Sequence, residues 1–195
     1  MWHDACWKRA VEKRGVRMRR VILLSVMMAA AVVVASGVAL AATLTGTDHA
    51  DRLVGTARGD TIRGFGGGDT ILGKGGPDDL RGYRGNDTMS GNLGSDVLLG
   101  GKGDDTLRGN RGNDKLYGAS GDDTIYGGRG DDTTDGQAGT DTLVGGPGND
   151  RIFDSSGSHN RIFAKDGQQD LICVNRGSGE VMSDPQDKLI FNKSC

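Results

Sequence analysis

The sequence predicts an all-β fold, a parallel β-roll or β-helix solenoid built from nine-residue half-turns. Three observations predict it. One nine-residue pattern runs through twelve consecutive copies over residues 46–153, without insertion or deletion. Its first position is glycine from Gly46 to Gly145 and its sixth is aspartate from Asp51 to Asp150. Its eighth position is apolar in every copy except at Thr134. A fixed short period of this kind marks a stacked array, in which each unit buries its apolar face only against its neighbours.

Ahead of the array, residues 1–41 read as a signal peptide. Lys8, Arg9, Lys13, Arg14, Arg17, Arg19 and Arg20 form a basic region, an uncharged stretch runs from Val21 to Leu40, and Ala39-Leu40-Ala41 offers the small residues of a cleavage site. The competing reading is an uncleaved anchor, since Val21–Ala42 is long enough to span a bilayer. Met18-Arg19-Arg20 makes a more compact start, which would leave residues 1–17 as a start-site artefact. A cleaved leader predicts a secreted protein with no membrane attachment. It takes away seven of 24 Lys+Arg and two of 26 Asp+Glu, leaving 17 and 24, a net of −7. That acidic balance, without basic blocks, argues against a nucleic-acid partner. With 35 glycines and few aromatics, apolar burial alone is a poor basis for an ordinary globular core.

Within the repeat, glycines at positions one and four suit tight turns, through positive φ or close backbone approach. The last three positions, the Thr-Leu or Thr-Ile that follows the Asp together with the next residue, make a minimal three-residue strand. Two units close one coil, so residues eighteen apart stack. One apolar column is then Leu53, Ile71, Met89, Leu107, Ile125 and Leu143; the other is Ile62, Leu80, Leu98, Leu116, Thr134 and Ile152.

The same stacking piles up carboxylates. Asp51, Asp69, Asp87, Asp105, Asp123 and Asp141 fall in one stack, and Asp60, Asp78, Asp96, Asp114, Asp132 and Asp150 in the other. Repeated anions would repel unless a cation lay between them. Ca2+ suits such a place, because it takes six to eight oxygens in flexible geometry, whereas Mg2+ demands a tight octahedron. Side-chain capping of turns is the simpler role for a lone Asp; strict register with two glycines favours the metal. Six carboxylates per stack give five intervals, hence ten sites over both stacks. Asp104, Asp122 and Asp131 add a further carboxylate at position five.

The units Gly64–Leu72 and Gly100–Arg108 show most clearly that the chain resembles the RTX, or haemolysin-type, calcium-binding nonapeptide-repeat family. The resemblance implies a parallel β-roll that binds Ca2+ between turns through loop carbonyls and the sixth-position aspartates, and that folds only with calcium. It assigns ligand roles best to Asp69, Asp78, Asp87, Asp96, Asp105, Asp114, Asp123, Asp132, Asp141 and Asp150. Asp51 and Asp60 match less well, because His49 and Arg58 replace the fourth glycine of their loops. Toxin and protease members carry catalytic or pore-forming domains and a C-terminal export signal. This chain, with an N-terminal leader next to its repeats, is more similar to small exported proteins made largely of the repeats.

After Phe153 the register slips. Asp154–Phe163 reads as a ten-residue variant with His159 or Asn160 near the Asp position, and Asp170-Leu171-Ile172 and Asp187-Lys188-Leu189-Ile190 repeat the signature without glycines. The expected domains are therefore the leader (1–41), the roll (42–153), and degenerate coils with a cap (154–195). Cys173 and Cys195 form an even pair in an exported chain and are read as one disulfide closing the cap, worth about 3 kcal/mol on the loop-entropy model. Two free thiols are the alternative. A zinc site lacks paired ligand spacing. No serine-hydrolase, metalloprotease or phosphate-loop motif occurs, His49 and His159 are isolated, and the aspartates are better used by calcium than as a glycosidase pair. The expectation is a non-enzymatic protein. A competing function class is surface recognition: Thr70, Thr88, Thr106, Thr124 and Thr142 would form an outward ladder able to meet ice, carbohydrate or a cell surface.

Overall fold

In a computed structural model, residues 40–156, 159–174 and 179–191 are described. The expected leader falls outside them except for its last two residues. The described residues form seventeen strands and no helix. Short strands open the array, β1 (Thr43–Thr45) and β2 (Arg52–Val54). Six-residue strands follow: β3 (Thr61–Gly66), β4 (Thr70–Gly75), β5 (Asp79–Arg84), β6 (Thr88–Leu93) and β7 (Val97–Lys102). They continue as β8 (Thr106–Arg111), β9 (Lys115–Ser120), β10 (Thr124–Arg129) and β11 (Thr133–Ala138). Short strands close it: β12 (Thr142–Val144), β13 (Arg151–Phe153), β14 (Arg161–Phe163), β15 (Leu171–Val174), β16 (Glu180–Met182) and β17 (Lys188–Phe191).

Odd-numbered strands make one parallel sheet of nine and even-numbered strands a second of eight, so the chain winds through about eight turns of a parallel β-solenoid. The register is eighteen residues within the repeats: Ile62 pairs with Leu80, Leu80 with Leu98, and Ile71 with Met89. Beyond the repeats the period varies, and Ile172 pairs with Leu189 only seventeen residues on. Leu143 pairs with Ile162, nineteen residues on, and Ile152 with Ile172, twenty on. The two apolar columns meet as one core in which Ile62, Ile71, Leu80, Met89, Leu98, Leu107, Leu116, Ile125, Leu143 and Ile152 are fully buried. Each such side chain stabilises the fold by about 2 kcal/mol on transfer. Ile162, Ile172 and Val174 continue the core past Phe153.

The strands differ from the three-residue expectation. From β3 to β11 each runs on through positions one to three of the following unit. The position-two residue takes a left-handed φ there, as at Phe65 (78°), Lys74 (84°) and Asn110 (82°), while position three returns to the ladder, as where Gly66 pairs with Arg84. The first two units have Thr47 and Thr56 at position two, and neither takes a positive φ. A β-branched residue is poorly suited to that region, and these strands stop at three residues.

The two repeat glycines thus do different jobs. Position four has a positive φ in all ten units from Gly67 to Gly148. Position one does not. A Cβ on any position-one glycine would instead fall closer than 3.0 Å to the Oδ2 of its own unit's aspartate. That glycine is needed for close approach alone.

Candidate metal centre

Positions six, eight and one of each unit turn inward, so the aspartates line the edge of the core. The strand ladder begins at position seven, and the N–H of position six would go unpaired there. A carboxylate one coil later takes it. Asp51 N–H donates to Asp69 Oδ1, Asp60 N–H to Asp78 Oδ1, and so on through both stacks to Asp141 and Asp150, at 2.7–2.9 Å. The carbonyl of each aspartate accepts the position-seven N–H of the next coil, as in Thr88 N–H to Asp69 O at 2.8 Å. Oδ1 therefore stands in for a strand carbonyl.

Oδ2 is a different atom. In Asp69, Asp78, Asp87, Asp96, Asp105, Asp114, Asp123, Asp132, Asp141 and Asp150 it is buried and has no hydrogen-bond partner. An unpaired buried carboxylate oxygen costs free energy unless a proton or a cation meets it. The acidities show that cost. Desolvation pushes Asp105, Asp123, Asp132 and Asp150 up to about 7, and Asp78, Asp87, Asp114 and Asp141 up to about 6. The backbone N–H from the preceding coil opposes the rise, and neighbouring carboxylates add to it. Asp69 and Asp96 are raised for the same leading reason.

The first two units are built differently. Asp51 Oδ2 accepts Thr47 N–H at 2.6 Å and the Thr47 hydroxyl at 2.9 Å, and Asp60 Oδ2 accepts Thr56 N–H. Their second oxygens are already engaged within the loop.

Among the described residues no three His, Cys, Asp or Glu side chains converge as a metal cluster. A cation between coils would draw on stacked Asp oxygens and, for a shell of six or more, on backbone carbonyls. The donor set is all oxygen, which fits Ca2+.

Position five has a role that its composition did not disclose. Asp104 Oδ1 accepts Asp122 N–H at 2.9 Å, Asp122 Oδ1 accepts Thr140 N–H at 2.8 Å, and Asp131 Oδ1 accepts Asn149 N–H at 2.9 Å. Asn86 and Asn113 do the same for Asp104 and Asp131, both at 3.1 Å. This outer ladder holds loop to loop. A residue with a side-chain oxygen every eighteen positions was the signal for it.

In the tail, Asn160 rather than His159 occupies the sixth position, accepting Asp141 N–H through Oδ1 at 2.6 Å. Asp170 continues the other stack, and its Oδ2 is again buried without a partner. Cys173 is buried in β15, while Cys195 lies outside the described residues. The threonine ladder is in register from Thr70 to Thr142, between Arg52 and Arg161; Thr88 is exposed and the other four are half-buried. No further feature marks it as a binding face.

A family model described as RTX calcium-binding nonapeptide repeat (4 copies) matches residues 45–80, 63–98, 72–107, 99–134 and 135–158. No curated protein matches the chain.

Proposed function

Because the chain belongs to the RTX calcium-binding nonapeptide-repeat family, whose repeats bind Ca2+, we propose that its sixth-position aspartates hold Ca2+ between successive coils and that this binding completes the fold. The observation that carries the reading is the row of ten buried Asp Oδ2 atoms without partners. Ca2+, when bound, supplies the positive charge these stacks lack and accepts six to eight oxygens. The protein's own part is placement. Oδ1 is fixed by a backbone N–H of the preceding coil, the position-one glycine leaves room for Oδ2, and the position-four glycine turns the loop. Asp69 to Asp150 are the ligands in this reading. Asp51 and Asp60 close the N-terminal end, their Oδ2 atoms engaged by Thr47 and Thr56.

The rest of the proposal concerns the whole chain. Residues 1–41 act as a cleaved leader, residues 42–153 form the roll, and residues 154–195 close it. The product is secreted, and its carboxylates serve calcium and not a reaction. A Cys173–Cys195 disulfide clamps the C-terminal end; the bonded state of Cys173 supports it. Isothermal titration calorimetry of the purified chain tests the binding. Several Ca2+ ions per chain are expected, with Mg2+ much weaker. No Ca2+ uptake, or equal uptake of Mg2+, would refute it.

A further inference from the structure

We infer that the calcium-binding stack containing Asp150 runs one step beyond the glycine-patterned repeats, to Asp170, whereas the stack containing Asp141 stops because Asn160 occupies the next rung. The inference rests on the calcium reading above and extends it to residues 159–170, all of which lie past the matched repeats.

The step from Asp150 to Asp170 reproduces the repeat geometry bond for bond. Asp150 N–H donates to Asp170 Oδ1 at 2.8 Å, as Asp132 N–H does to Asp150 Oδ1 at 2.8 Å. Leu171 N–H donates to Asp150 O at 2.8 Å, as Arg151 N–H does to Asp132 O at 2.8 Å. Asp170 is 1% exposed, and its Oδ2 has no hydrogen-bond partner. It shares an open cleft of about 570 Å3 with Asp132, Asn149, Asp150 and Gln169.

The sequence reaches this geometry without the motif. Ala164 stands where the repeats have their first glycine, its N–H donating to Met182 O at 2.9 Å as Gly145 N–H donates to Phe163 O at 3.1 Å. Six residues separate Phe163 from Asp170, against five between Val144 and Asp150, so the loop is one residue longer. The next rung closes the stack. Asp170 N–H donates to Asp187 Oδ1 at 3.1 Å, but Asp187 Oδ2 already accepts Asp184 N–H.

Asn160 makes the contrast. Its Oδ1 accepts Asp141 N–H and its Nδ2 donates to Asp154 Oδ1 at 2.7 Å, so both ends of a neutral amide are used. It keeps the backbone bond of the rung and offers no second anionic oxygen.

Two exchanges test this on the full chain, each read as Ca2+ bound per molecule by native mass spectrometry. Asp170→Asn keeps an Oδ1 acceptor for Asp150 and is expected to bind one Ca2+ fewer, with the circular dichroism of the calcium-loaded roll retained. Asn160→Asp is expected to bind one more. An unchanged count in Asp170→Asn with the roll intact overturns the inference. If Asp170→Asn fails to fold, Asn160→Asp decides, and an unchanged count there overturns it. Asp105→Asn, inside the repeats, separates the two levels. A loss there without a loss at Asp170 rejects only the extension, whereas no loss at any of these positions rejects the calcium reading itself.

Discussion

Thr134 is the one polar residue in a column otherwise built from Ile62, Leu80, Leu98, Leu116 and Ile152. It is fully buried, paired with Leu116 on one side and Ile152 on the other, and its Oγ1 has no hydrogen-bond partner. Burying a hydroxyl without a partner costs about 1–3 kcal/mol. Thr134→Val keeps the β-branched shape and replaces the hydroxyl by a methyl, so the calcium-loaded roll should gain about 1–2 kcal/mol. Thr134→Ala removes the hydroxyl too, but it leaves a void and should gain less or lose stability. Urea unfolding at fixed, saturating Ca2+ reads the difference as a shifted midpoint at constant slope. A valine variant no more stable than the parent would mean that the hydroxyl has a partner that offsets its burial, contrary to this assignment.

Other perturbations separate the roles of the repeat positions. Gly100→Ala would press a Cβ against Asp105 Oδ2 and Gly118 O, and Gly112→Ala would combine a φ of 126° with a clash against Gly94 O. Each should destabilise the calcium-loaded roll by more than about 2 kcal/mol in the same urea assay. Asp105→Asn keeps the acceptor for Asp87 N–H and removes the charge, so calcium uptake should fall while the calcium-free chain becomes more ordered by circular dichroism. The pH dependence has a definite sign. Asp105, Asp123, Asp132 and Asp150 are raised to about 7 in the roll, against about 3.9 for an unfolded aspartate. Between those values the folded chain holds more protons than the unfolded one, so stability rises as pH falls. In calcium-depleted buffer β-structure should increase from pH 7.5 to pH 5, and bound calcium should be displaced over the same interval.

Much of this was legible in the sequence because the repeat is so strict. A period of nine with an apolar eighth position is enough to stack Ile62 on Leu80 and Ile71 on Met89, and the structure has those pairs. Strand length was not legible. It depends on the position-two φ, and Phe65, Lys74 and Asn110 have nothing in common that announces a left-handed conformation. The reason for the first glycine was half legible: turn chemistry suggests φ, while the folded chain requires space for an Asp Oδ2 from five residues ahead. The division of each carboxylate into a backbone-bonded Oδ1 and an unpartnered Oδ2 is a property of two stacked coils, and no single unit contains it. Asp170 was visible as an Asp-Leu-Ile signature, but its equivalence to Asp150 appears only once the longer loop after Phe163 has been threaded.

In the proposed reading the buried Asp oxygens need calcium to complete the roll at neutral pH. Far-ultraviolet circular dichroism of the chain at pH 7.5, titrated with Ca2+ from excess chelator, tests it most directly. Weak β-signal is expected in chelator, with a cooperative rise as calcium is added, reversed by chelator and not reproduced by Mg2+. A full β-spectrum in chelator, unchanged by saturating Ca2+, would contradict it.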